Sequence, residues 1–144
     1  MPSEQSPLLA STSPAAAAPS RDATSPRRSR NMFWTLGCIY GAAAVGFGAF
    51  GAHGLKKVVS DPARLANFGT AAHYQLVHSV ALLVASQAAP QNTLAGGLFT
   101  AGMTMFSGSI YALVLDPARF RFLGPVTPLG GLCLIGGWVA LGLS

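Results

Sequence analysis

The sequence predicts an all-α membrane protein: a left-handed bundle of four transmembrane helices behind a disordered N-terminal tail. Three observations carry this expectation. Charged residues make up 9% of the 144 residues and hydrophobic ones 51%, whereas soluble domains carry about a quarter charged. Four uncharged stretches, residues 32–52, 69–89, 94–115 and 122–143, each approach the ~20 residues that a helix needs to cross hydrocarbon. Within them, glycine and alanine recur at helical spacing, the pattern by which membrane helices approach each other closely.

Residues 1–31 are rich in Ser, Pro and Ala and have no apolar periodicity. Such a segment buries too little surface to offset the entropy of ordering, so a disordered tail is expected, followed by a helical domain over residues 32–144. The tail ends in "RDATSPRRSR", which reads either as a Ser- and Arg-rich targeting stretch or as positive charge flanking the first helix. Glu4 and Asp22 fit the acid-poor targeting pattern badly. The run that follows exceeds the ~7–15 residues of a cleaved secretory core, so a retained span is expected.

The helices are expected at about 32–53, 62–89, 94–115 and 126–143. The first ends in "GAHG", where Gly54 offers a left-handed cap and Lys56 and Lys57 reach lipid head groups. The second opens at Asp61-Pro62, an acidic cap followed by proline at the first helical position. Its first turns, with Arg64 and Asn67, are therefore wetter than the rest. In the fourth, Thr127-Pro128 repeats the cap logic and leaves about 24 Å of helix, shorter than the ~30 Å hydrocarbon core. Residues 122–126 should then tuck behind neighbours, or the bilayer should thin. "DPARLANFG" and "DPARFRFLG" echo each other before the second and fourth helices; they read more simply as two Asp-Pro caps than as an internal repeat.

An even number of spans puts both chain ends on one side. Positive residues flank both sides, so the positive-inside count does not decide orientation. The formal charge of +5 comes from short clusters at the ends of apolar runs and forms no basic face, which excludes nucleic acid as a partner. Cys38 and Cys133 lie inside apolar runs and read as small hydrophobes, with neither disulfide nor metal expected.

Small residues at steps of four and three mark the expected contact seams. They are Gly37, Gly41, Ala44, Gly48 and Gly51 in the first helix; Gly97, Ala101, Thr104 and Gly108 in the third; and Gly130, Cys133, Gly137 and Ala140 in the fourth. The second contributes Asn67, Ala71, Tyr74, His78, Ala81 and Ala85. A seven-residue repeat of this kind implies left-handed crossing at roughly +20°.

Ionisable groups inside spans are the first functional suspects, and here they are His73 and His78. Five residues apart, they project about 140° from each other and cannot share one metal. Depth counts place Tyr74, His78, Ser107 and Tyr111 in the same half of the bundle, within reach of one hydrogen-bonded cluster. The simplest role for His78 is structural glue worth ~1 kcal/mol; a proton-transfer or ligand-binding role is the alternative, since imidazole titrates near neutrality, and metal or haem coordination comes last because acidic or Cys partners are missing nearby. His53 reads as a solvated interface residue or as part of a loop site with His73. Trp138 reads as a packing or interface anchor. No nucleophile constellation or phosphate loop is present.

"GAFGAHGL", "HYQLVHSVALL", "FSGSIYALVL" and "TPLGGLCLIGGW" occur in order, one per helix, and resemble the successive signatures of the transmembrane protein 256 family. The likeness runs from about residue 37 to 143. It implies four transmembrane helices and an integral membrane location, and it brings no reaction, substrate or cofactor with it. The motif positions it marks are His53, His73, Tyr74, His78, Ser107 and Tyr111. The expected function is non-enzymatic: a small membrane subunit, without cofactor, packed in the lipid bilayer against a membrane-protein partner or a second copy. A minimal proton-coupled carrier using His78, Tyr111 and Ser107 is one alternative. A haem- or quinone-binding protein using His53 and His73 is another.

Overall fold

The computed structural model describes residues 32–144, so the expected tail lies outside the described residues. Among the described residues every element is helical. Helix α1 spans Met32–His53 and passes through Gly54 into a 3-10 turn, Leu55–Lys57. Helix α2, Pro62–Ala88, starts where the sequence indicates: Asp61 Oδ1 accepts from the Ala63 amide at 2.9 Å, and Pro62 occupies the first turn. Helix α3 spans Thr93–Leu115. Asn92 caps it by accepting from the Ala95 amide at 2.9 Å, and its Nδ2 donates to the Ala140 carbonyl at 2.8 Å, which ties the start of α3 to the end of the last helix. After Asp116 come a single turn, α4 (Pro117–Phe120), a 3-10 turn, Arg121–Leu123, and α5, Val126–Gly142.

Two capping expectations are corrected. Gly54 is right-handed, with φ −87° and ψ −46°. What requires glycine there is proximity, because a Cβ would meet the Phe50 ring at 2.7 Å. Thr127 does not cap the last helix, whose N-cap is Pro125 without a side-chain bond. The Thr127 hydroxyl lies 2.6 Å from Ser109 Oγ, which itself donates to the Phe106 carbonyl, so Thr127 is the donor across the α3–α5 contact.

The long helices pack against one another in chain order. They form a row in which α1 packs on α2, α2 on α3 and α3 on α5, while the outer members α1 and α5 share no substantial contact; long side chains of α1 also reach α3, where Phe33 lies over Gly96 and the Tyr40 hydroxyl is 2.5 Å from that of Thr104. The reason lies in α2, which has two contact faces. On one, the α1 glycines receive its side chains in antiparallel order: Gly37 faces Leu83, Gly41 faces Ser79, Gly48 faces Ala72 and Gly51 faces Phe68. On the other, Ala81, Leu82 and Ala85 join Ala95, Phe99 and Met103 of α3 and Leu134 of α5 in one core cluster.

The α3–α5 contact is the closest. Gly130 lies against backbone, where a Cβ would come 2.8 Å from the Met105 carbonyl carbon and the Phe106 Cα. Gly137 receives the Phe99 ring, and Gly102 receives Leu134 in return. The expected α3 seam is corrected here. Gly97 and Gly108 face open space, and Ala101 and Thr104 beside them are exposed. The inward face of α3 is instead Ala95, Gly96, Phe99, Gly102, Met103 and Ser107. Bulky residues interleaved with Gly96 and Gly102 bury more contact on that side than the small-residue frame alone would.

Burial follows the logic of lipid. In α2, Gln75, His78, Ser79 and Ser86 are buried while Leu76, Val77, Val80 and Val84 are exposed. A soluble helix would do the reverse, and polar atoms turned inward find partners that hydrocarbon does not supply. By length and composition two helical segments, Met32–Lys57 and Thr93–Leu115, are apolar enough to cross a membrane. The pair Pro117–Leu123 and Val126–Gly142, bent by 48°, makes a third if it counts as one span.

Candidate functional site: a lipid-facing groove and a buried amide

The sequence suggested one cluster of Tyr74, His78, Ser107 and Tyr111, but the structure separates these residues into two sets. The dividing element is α2, whose residues Tyr74 and Gln75 look to different sides although adjacent in sequence.

The first set is centred on Gln75, buried at the junction of three helices. Its Nε2 donates to the Tyr40 carbonyl of α1 at 2.9 Å, and its Oε1 accepts from the Tyr111 hydroxyl of α3 at 3.0 Å. The Tyr111 ring lies 4.5 Å from Phe47 and 4.7 Å from Phe68, centroid to centroid. Ser107 donates to the Ala71 carbonyl at 2.9 Å, a second α3-to-α2 bond. Neither Ser107 nor Tyr111 bonds to His78, so the carrier relay imagined through these three residues is not assembled. Gln75 is absent from the expected cluster; the uncharged amide inside "HYQLVH" is the sequence signal for it.

Near the loop end of the same junction, the Arg64 guanidinium reaches from the start of α2 to the last carbonyls of α3. Its Nη2 donates to the Val114 carbonyl and, more weakly, to that of Leu115 at 3.5 Å. A cation at a helix C-terminus complements the exposed carbonyls and the helix dipole. Rather than serving only as a wet first turn, Arg64 fastens α2 to α3.

The second set lines a groove of about 600 Å³ between α2 and α5, bordered by His73, Tyr74, Val77, His78, Phe106, Leu134, Ile135 and Trp138. His78 is 6% exposed, and aromatic rings hold it on several sides. Tyr74 stacks on it at 5.7 Å, and Phe99 and Trp138 each lie 6.1 Å away. His78 Nδ1 lies 2.7 Å from the Tyr74 carbonyl. A carbonyl only accepts, so Nδ1 carries a proton, and in the neutral imidazole Nε2 is then the acceptor. Nε2 has no hydrogen bond among the described residues. It is not enclosed either, because Arg64 Nε is the one buried side-chain nitrogen or oxygen left without a partner among them.

His73 is exposed at the groove's edge, and His53 is exposed at the end of α1. No hydrogen bond or ring contact joins them. Among the described residues no group of three or more His, Cys, Asp or Glu side chains is placed to hold a metal ion. Cys38 and Cys133 are free thiols.

An all-helical chain with an apolar exterior and polar side chains turned inward belongs to the class of small helical membrane proteins, and comparison with known proteins agrees. Residues 47–131 match the family described as protein of unknown function, DUF423. UPF0382 membrane protein C1782.12c of Schizosaccharomyces pombe is 39% identical over 113 residues, covering 75% of this chain and 96% of its own. UPF0382 membrane protein SAB0533 of Staphylococcus aureus is 41% identical over 114 residues, covering 76% and 91%. UPF0382 membrane protein YwdK of Bacillus subtilis is 38% identical over 116 residues, covering 76% and 92%. The chain therefore belongs to the DUF423 family of UPF0382 membrane proteins. No solved structure matches it.

Proposed function

We propose that this chain is a four-span, multi-pass membrane protein of the transmembrane protein 256 type, acting without catalysis as an accessory subunit that packs against a membrane-protein partner or a second copy of itself. The outward face of α3 carries this reading. Gly97, Ala101 and Gly108 keep the spacing of a helix-packing seam and are exposed, with open space beside both glycines, while the Thr104 hydroxyl between them lies 2.5 Å from that of Tyr40 in α1. Small residues at this spacing let a neighbouring backbone approach closely, and van der Waals contact of that kind holds helices together in lipid. The membrane names of the relatives and the apolar exterior support the location, and the inward-facing polar residues of α2 support counting it as a span although it is the most polar of the long helices.

The test is cross-linking in native membranes followed by native mass measurement in mild detergent. The wild-type chain should appear in a complex. Gly108→Leu should release it as a monomer without lowering its thermal stability, and Gly46→Leu, at an open position on α1, should not. A wild-type chain found only as a free monomer overturns the proposal.

A further inference from the structure

We propose that the α2–α5 groove binds a lipophilic phenol, a flat hydroxylated ring on an apolar tail, with His78 Nε2 accepting a hydrogen bond from its hydroxyl. This site is separate from the outward face of α3, and its test is independent of any partner.

Four observations converge on that chemistry. His78 is more than nine-tenths buried, and its Nδ1–H is committed to the Tyr74 carbonyl, so the ring offers the groove one acceptor and no donor. The matching ligand group is therefore a hydrogen-bond donor. Second, the surroundings of that acceptor are aromatic: Tyr74, Phe106 and Trp138 border the same space. Offset and edge-on contacts with such rings favour a flat aromatic head over an aliphatic one. Third, the interior lining that remains is aliphatic, with Val77, Leu134 and Ile135, while His73 stands at the groove's exposed edge, so a ligand carrying further charge or many polar atoms into the interior would leave them unpaired. Fourth, the volume of about 600 Å³ lies within the usual range for small-molecule pockets, roughly 300–1,000 Å³. The groove is open along the exposed apolar flank of α2 and α5, where Val80 and Val139 are exposed, and this gives a tail a path into lipid.

The arrangement also explains why the imidazole is so tightly held. The stacked Tyr74 ring and the Nδ1 bond prevent the histidine from turning its protonated nitrogen toward the groove, so the acceptor is preset. Only binding is proposed, and no electron or proton transfer is part of it.

Trp138 provides the readout, because it borders the groove 6.1 Å from His78. The chain has two tryptophans, so Trp34→Phe leaves Trp138 as the only source of indole emission. In lipid nanodiscs this variant is titrated with para-dodecylphenol, dodecylbenzene and dodecanol. The phenol should change Trp138 emission saturably, at a concentration about tenfold lower than either comparison compound, as expected for one good hydrogen bond. Adding His78→Phe should abolish that preference, and adding Ile135→Trp, read by competition with a radiolabelled phenol, should block the groove without touching the buried ring. Equal response to dodecylbenzene would mean that the groove takes hydrocarbon tails only, and equal response to dodecanol that it takes any alcohol; either overturns the proposal. So does an unchanged preference in His78→Phe, or unchanged binding in Ile135→Trp if the histidine variant fails to fold.

Discussion

Gln75 shows how much one uncharged side chain can organise in a membrane. It holds α1 through the Tyr40 carbonyl and α3 through the Tyr111 hydroxyl, so its two ends work on different neighbours. Interhelical hydrogen bonds in bilayers average about 0.6 kcal/mol and reach about 1.7. Gln75→Leu should therefore lower the free energy of unfolding in mixed micelles by about 1–2 kcal/mol. Tyr111→Phe, which removes one of the two bonds, should cost about half as much, and the double variant should fall short of the sum. Strict additivity would show that the Tyr111–Gln75 bond contributes nothing. At this scale the sequence was only partly legible. His78 drew attention as an ionisable group and is indeed buried, but its partner is the Tyr74 carbonyl, which no side-chain pattern announces. The role of Gln75 depends on partners supplied by two other helices, and the separation of Tyr74 from Gln75 depends on which helices flank α2.

At the level of elements, the glycines divide by what stands opposite them. Gly130 touches backbone, and backbone has nowhere to retreat. Gly130→Ala should therefore destabilise the fold by about 1–3 kcal/mol through overpacking, despite the better helix propensity of alanine. Gly97→Ala places its methyl in open space, and the propensity gain should leave stability unchanged or raise it by up to about 1 kcal/mol. Thermal unfolding of the two variants in the same detergent checks the contrast, and equal losses would contradict the geometry. One helix start was readable because caps are local: Asp61-Pro62 does what its residue types suggest, whereas Thr127, bonded to Ser109, does not. The α3 contact face was not, because a small-residue frame shows where a helix could be approached and leaves open whether this chain supplies the approaching helix. The same physical rule accounts for the success in α1, where Gly37, Gly41, Gly48 and Gly51 do meet α2.

For the whole molecule, alternation of helix direction puts the Gly54–Asp61 and Asp116–Pro125 connections at one end; Arg64 bonding to the Val114 carbonyl joins that end directly. Asn92 bonding to the Ala140 carbonyl marks the other. If α2 and α5 are both spans, single cysteines introduced at Lys57 and Arg121 in a Cys38→Ala, Cys133→Ala background should react with an impermeant maleimide from one face of sealed vesicles. A cysteine at Ser144 should react from the opposite face. Labelling of Arg121→Cys and Ser144→Cys from the same side would make α4 and α5 a re-entrant pair. The class of molecule was legible from composition alone, while the row was not, since closure depends on whether the first and last helices meet. That row has a consequence for biogenesis. Because every long helix rests chiefly on the one synthesised just before it, the structure can grow in step with insertion, each new hairpin docking as it leaves the translocation machinery. Most of each early helix is covered by its immediate successor, and a topology with such short-range wiring is expected to assemble quickly.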